Sequence, residues 1–196
     1  MEKQDVRLHL IETGAKAFME KGYHAVGLQE ILAAAGVPKG SFYYYFRSKE
    51  DFCIAAVDHY IRLFADKHLP VLRDRALPAK DRLLAFFAAE REYYLRKQCQ
   101  HACLLAKLTM EMSLLSEPIR GELQRGMNGW IRTVAACLAD GIAAGEFVLF
   151  QPPDTTAEFF YAAWAGAITR MQATQSGRPL DIFIAFAARE IGAAAQ

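Results

Sequence analysis

Residues 27–49 constrain this chain more than any other stretch. They run Gly27-Leu28-Gln29-Glu30-Ile31-Leu32-Ala33-Ala34-Ala35-Gly36-Val37-Pro38-Lys39-Gly40-Ser41-Phe42-Tyr43-Tyr44-Tyr45-Phe46-Arg47-Ser48-Lys49. Leu28, Ile31, Leu32 and Ala35 recur at helical spacing, and Gly36 ends that helix. Val37-Pro38 forms a turn, with proline set to enter a second helix over Ser41 to Phe46. The pattern predicts a helix-turn-helix over about 27–46, a device whose second helix enters the major groove of DNA. Phe42 and Phe46 lie four apart and can anchor that helix inward against Ile31 and Leu28. One helix face cannot bury three consecutive tyrosines, so Ser41, Tyr43, Tyr44 and Tyr45 are expected to make outward or lateral contacts. Hydroxyls suit phosphate oxygens, and ring edges can meet a thymine methyl. Gly40 lets the backbone approach closely, and Lys49 opens the next helix, where free N–H groups also attract phosphate.

The remainder of the 196 residues also reads as helical. The chain is 53% hydrophobic, enough for a sizeable core, and its formal net charge is only +1. Nucleic-acid binding therefore needs a local basic surface, which Lys39, Arg47 and Lys49 supply. Further helices are expected up to Lys21, from Ser48 towards Pro70, and over about 79–98, 101–114, 117–144, 155–175 and 180–191. Ser48 with Asp51, Ser116, and Thr155 with Glu158 are the expected N-terminal caps. No useful strand alternation occurs. The expectation is an all-α fold of about nine helices. A three-helix head over 1–48 precedes a larger helical body over 49–196. The charged start of the chain predicts no secretory leader, and no apolar run approaches the roughly 18 residues of a spanning helix. The four cysteines lack a disulfide-framework pattern, so reduced thiols in a cytoplasmic protein are expected.

In its first third the chain resembles the TetR family of one-component transcriptional regulators. The match covers about Ala15 to Asp58: A-x-A-F-x-E-K-G-Y, then I-x-x-A-A-G-V-x-K-G-S-F-Y-Y-Y-F-x-S-K-E. One departure is Gly27-Leu28, where the family often carries a threonine cap. The resemblance implies a repressor of palindromic double-stranded DNA, released by a small-molecule effector. It puts Gln29 at a base contact, Lys39, Ser41, Tyr43, Tyr44 and Tyr45 on the recognition helix, and Lys49 at a phosphate clamp. It also implies a homodimer formed by the last two helices. Those helices carry more apolar surface than one side of a monomer needs, and Gly166 and Ala167 would allow close approach. Trp164, Gly166, Ala167 and Phe183 are the expected interface.

A second resemblance lies in the body. The run Cys103-Leu-x-x-Lys107-Leu-x-x-Glu111, followed by Ser-Glu-Pro118, is similar to a subgroup that responds to quinones, aldehydes, N-ethylmaleimide, hypochlorite or acrylate-like compounds. Cys103 occupies the place of the sensor thiol. On one helix, Lys107 would share its face and favour the thiolate. The alternative is a non-covalent apolar ligand, with Cys103 as packing. A metal at Cys99, His101 and Cys103 lacks further ligands, so no metal and no cofactor is expected. An enzyme is not expected: the chain has no glycine-rich phosphate loop, no H-E-x-x-H and no nucleophile elbow.

Overall fold

The computed structural model describes residues 3–192, with side chains from Asp5. Ten helices and no strand occur among the described residues. They are α1 (Lys3–Lys21), α2 (Leu28–Ala35), α3 (Lys39–Tyr45), α4 (Lys49–His68), α5 (Pro70–Arg73), α6 (Ala79–Arg96), α7 (Leu104–Met112), α8 (Glu117–Ala143), α9 (Pro153–Thr174) and α10 (Arg178–Glu190). The all-α expectation holds. The unexpected helix is α5, a single turn started by Pro70, whose fixed φ suits a first helical position.

The chain packs as two compact units. One comprises the described residues through Leu63 together with Ala102–Gly126; the other comprises Phe64–His101 and the residues from Met127 onward. Both α4 and α8 thus change unit part-way along their length.

The first unit holds the helix-turn-helix. Gly36 ends α2 in the left-handed region, at φ 65°, and the Val37 N–H reaches back to Leu32 O at 3.0 Å. This six-residue loop-back is the termination that glycine permits without a Cβ clash. Under the two helices lies an aromatic cluster. Phe42, Phe46, Phe52 and Phe18 are buried, with ring centroids 4.9 Å apart for Phe46–Phe52 and 5.4 Å for Phe42–Phe52. Gly14 of α1 makes room for it, since a Cβ there would lie 2.2 Å from the Phe52 ring.

Two of the three expected caps form. Ser48 Oγ accepts the Asp51 N–H at 3.0 Å, and Asp51 reaches back to the Arg47 N–H at 2.9 Å. Ser116 Oγ accepts the Ile119 N–H at 3.2 Å and donates to Glu50 at 2.5 Å. The Thr155–Glu158 box does not form. Helix α9 starts two residues earlier at Pro153, behind an extended Pro152, because Pro153 is already pre-set for the first helical position. Thr155 then falls inside the first turn.

The second unit is built around aromatic packing. Phe87 lies 4.7 Å from Phe183, 5.4 Å from Trp164 and 6.0 Å from Phe160, ring centre to ring centre. Two charged side chains are buried with partners. Arg82 donates to Leu72 O at 3.0 Å and to Asp140 at 3.1 Å, and Glu90 pairs with His68. Removing one partner of either pair would leave a buried charge uncompensated, which is strongly destabilising.

Candidate nucleic-acid interface and sensor thiol

Burial of Phe42 and Phe46 fixes which side of α3 faces outward. Lys39, Gly40, Tyr43 and Tyr44 form its exposed side, with Tyr43 54% and Tyr44 67% exposed. Two aromatic rings of this one short helix thus stand in water. Ser41 and Tyr45 are half-buried at its edge, and the Tyr45 ring packs edge-on against Tyr44 at 4.9 Å. Gln29 is exposed near the start of α2, whose leading residue Gly27 supplies no side-chain cap. Arg47 is exposed beside α3, and the Arg7 guanidinium lies over the Phe46 ring at 5.3 Å.

Lys49 departs from the expected phosphate clamp. Its ammonium turns inward and donates to Tyr23 O at 2.5 Å and Val26 O at 2.6 Å, lying 4.4 Å from the centre of the Tyr23 ring. Burial lowers its pKa from the ordinary lysine value, while Cys53 and Glu111 oppose that shift. The α1–α2 turn has carbonyls without helical partners, and a flexible cation on the first residue of α4 satisfies two of them. Replacing Lys49 with Met should therefore lower the stability of the head by about 1–3 kcal/mol, since two carbonyls lose a charged donor. Urea unfolding followed by circular dichroism reads the effect. An unchanged midpoint would return Lys49 to a surface role.

The thiols separate by environment. Cys53 and Cys137 are buried, and burial pushes their thiols up to about 12 and about 11. Cys99 is also buried, in a turn where Gln98 and Cys99 both have positive φ, 53° and 59°. Such a pair costs roughly 1–3 kcal/mol per residue and is held only by its surroundings. Cys103 is half-buried. The expected helix over 101–114 is shorter at its start. α7 begins at Leu104, so Cys103 is its N-cap residue, with extended backbone. The positive end of a helix dipole favours a thiolate at that position. The expected help from Lys107 is redirected: its ammonium donates to Met19 O at 3.1 Å and Glu20 O at 2.8 Å, the last carbonyls of α1. No group of three or more potential metal ligands occurs among the described residues.

On the second unit, α9 and α10 enclose an apolar groove of about 840 Å³. Gly166, Ala167 and Phe183 line it, with Gly166 open to space, while Ala167 and Phe183 are largely buried within the unit. Trp164 does not line it. It is only 5% exposed and packs inward against Phe87, so its expected interface role is corrected to a core role. The exposed apolar side chains are instead Phe150, Phe159, Ile182 and Phe186, at 89%, 67%, 44% and 68%. For Phe159, Ile182 and Phe186 no local signal separates them from their buried neighbours; only the helix rotation does.

The chain's likenesses match this layout. The profile described as bacterial regulatory proteins, tetR family, matches residues 10–56, and that of the tetracyclin repressor-like C-terminal domain matches residues 79–187. The chain belongs to the TetR family. It is 35% identical over 184 residues to the HTH-type transcriptional repressor DhaR of Mycobacterium sp. (strain GP1), covering 94% of this chain and 91% of DhaR. To the HTH-type transcriptional repressor NemR of Escherichia coli (strain K12) it is 33% identical over 183 residues, covering 91% of this chain and 90% of NemR. The crystal structure of E. coli NemR in its reduced form superposes with a TM-score of 0.85, at 32% identity, covering 97% of each chain. This TetR-family chain is thus a NemR-like, DNA-binding transcriptional regulator rather than an enzyme. Regulators of this family bind DNA operators and dimerise. No described helix is long and apolar enough to cross a membrane.

Proposed function

We propose that the protein is a cytoplasmic homodimeric repressor. Residues 1–48 read a palindromic operator, and residues 49–196 sense an effector and dimerise. The observation that carries this reading is the outward side of α3. Lys39, Tyr43 and Tyr44 stand exposed on a short helix pinned from below by Phe42 and Phe46. The effector is an electrophile or oxidant that modifies Cys103. The N-cap position of that residue on α7 and the likeness to NemR support this reading.

In the operator complex, α3 lies in the major groove and Gln29 reaches a base from α2. The two heads of the dimer read half-sites about one helical turn apart. The test is binding to the upstream region of the protein's own gene, followed by selection of preferred sequences for the parent and for Gln29→Ala. The parent should give a symmetric site and a steep salt dependence. Gln29→Ala should lose discrimination at one position per half-site, worth about 1–3 kcal/mol, with the salt slope kept. An unchanged site preference would remove Gln29 from the base contacts. A parent that binds all duplexes equally would defeat the repressor reading.

A further inference from the structure

The helix whose N-cap is Cys103 grips both the end of α1 and the segment joining α1 to α2. Lys107 holds the carbonyls of Met19 and Glu20, at 3.1 and 2.8 Å. One turn further along α7, the Glu111 carboxylate accepts the His24 N–H at 3.1 Å. The same carboxylate occupies the space over Gly22: a Cβ there would lie 2.0 Å from Glu111 Oε1. Gly22 has φ +89°, a conformation that side chains rarely adopt, so both the backbone and the carboxylate require glycine. From α4, Lys49 holds the next carbonyls of the turn, at Tyr23 and Val26.

Segment 22–26 is therefore held by side chains from two other helices. The element it leads into is short: Ile31, Leu32 and Ala35 bury one side of it, and His9 bonds its last carbonyl at Ala35, but its start is uncapped. α2 has eight residues, and its N-cap Gly27 makes no side-chain cap bond. An ion pair between Lys21 and Glu30 again ties α2 to the end of α1. The direction in which α2 leaves the turn sets where Gln29 stands, and α2 packs on α3.

We propose that Glu111 and Lys107 are positioning residues for operator recognition: α7 holds the end of α1 through Lys107 and the α1–α2 turn through Glu111, and thereby sets the attitude of α2 and α3. The inference rests on the reading of α2 and α3 as the DNA-contacting surface. It also gives the sensor a route. A displacement of α7 at its Cys103 end reaches the turn through Lys107 and Glu111, all within the first compact unit. Neither residue needs to touch DNA.

The experiment compares the full-length parent with Glu111→Ala, Glu111→Gln and Lys107→Met. Fluorescence anisotropy is measured on the operator and on a random duplex over a range of salt, with melting temperatures alongside. Glu111→Ala should weaken operator binding about tenfold, within the usual range of coupling between sites. Random-duplex binding and the salt slope should stay as in the parent, because no phosphate contact is removed. Glu111→Gln keeps an oxygen that accepts the His24 N–H and should recover most of the loss. Should Glu111→Ala fail to fold, Lys107→Met carries the same expectation. Operator binding unchanged in Glu111→Ala, or a loss shared equally by operator and random duplex, would overturn the inference while leaving the repressor reading intact. A parent with no preferred operator would remove that reading and the inference together.

Discussion

Replacing Phe159 and Phe186 together with Arg should yield a folded monomer that binds its operator far more weakly. Both rings are about two-thirds exposed on the groove between α9 and α10, so the second unit keeps its own core of Phe87, Trp164 and Phe183. In a dimer closed by this groove, each copy must bury those rings against the other. Guanidinium groups placed there would be desolvated without partners, a penalty of several kcal/mol per ion. Light scattering should give a mass near 22 kDa, against twice that for the parent. Operator affinity should fall by about 10²–10⁴, because each head then binds its half-site without the effective concentration supplied by its twin. A dimer that survives both substitutions would place the interface elsewhere. Trp164→Arg is the contrasting variant. It inserts a charge into the core of the unit and should unfold it.

The second large effect is expected at Cys103. After treatment with N-ethylmaleimide the parent should release its operator, while Cys103→Ser should stay bound at the same dose. In the reaction the thiolate sulfur forms a bond to one alkene carbon of the maleimide ring, and the neighbouring carbon takes a proton from water. Cys53→Ser and Cys137→Ser should behave as the parent. Their thiols are held at about 12 and about 11 by burial, so at neutral pH only about one part in 10⁴–10⁵ is the reactive thiolate. Cys103 is half-buried at a helix start, and an adduct there cannot be absorbed without moving its neighbours, because protein interiors are too dense. Intact mass spectrometry beside anisotropy reads both adduct and release. If Cys103→Ser lets go of DNA at the parent's dose, the covalent sensor is excluded and a non-covalent apolar ligand becomes the better account.

Much of this molecule was legible in its residues. Periodicity placed the long helices within a few residues, and Gly36 and Pro38 placed the break between α2 and α3, because helix ends are local events. The outward or lateral tyrosines of α3 were also legible: Phe42 and Phe46 take the inward side, leaving Tyr43 and Tyr44 exposed and Tyr45 at the edge. The Thr155 cap was misread because a proline two residues earlier can begin a helix just as well. Sequence could not separate Trp164 from Phe159, since both are large and apolar on the same helix. Which of the two faces the core depends on where Phe87 sits, and that lies on another helix.

The roles of the charged residues were decided by tertiary structure alone. Lys49 and Lys107 read locally as a phosphate clamp and as a thiolate partner. In the fold both ammonium groups hold backbone carbonyls at the end of α1 and the turn beyond it. Glu111 lies 87 positions from His24 and still caps its N–H. A long side chain bonds whatever unsatisfied group the packing brings within reach, and sequence spacing carries no record of that. Helix type and the helix-turn-helix follow from neighbours within one or two turns. The hold of α7 on the DNA-reading head follows from where the packed helices leave carbonyls and N–H groups without partners.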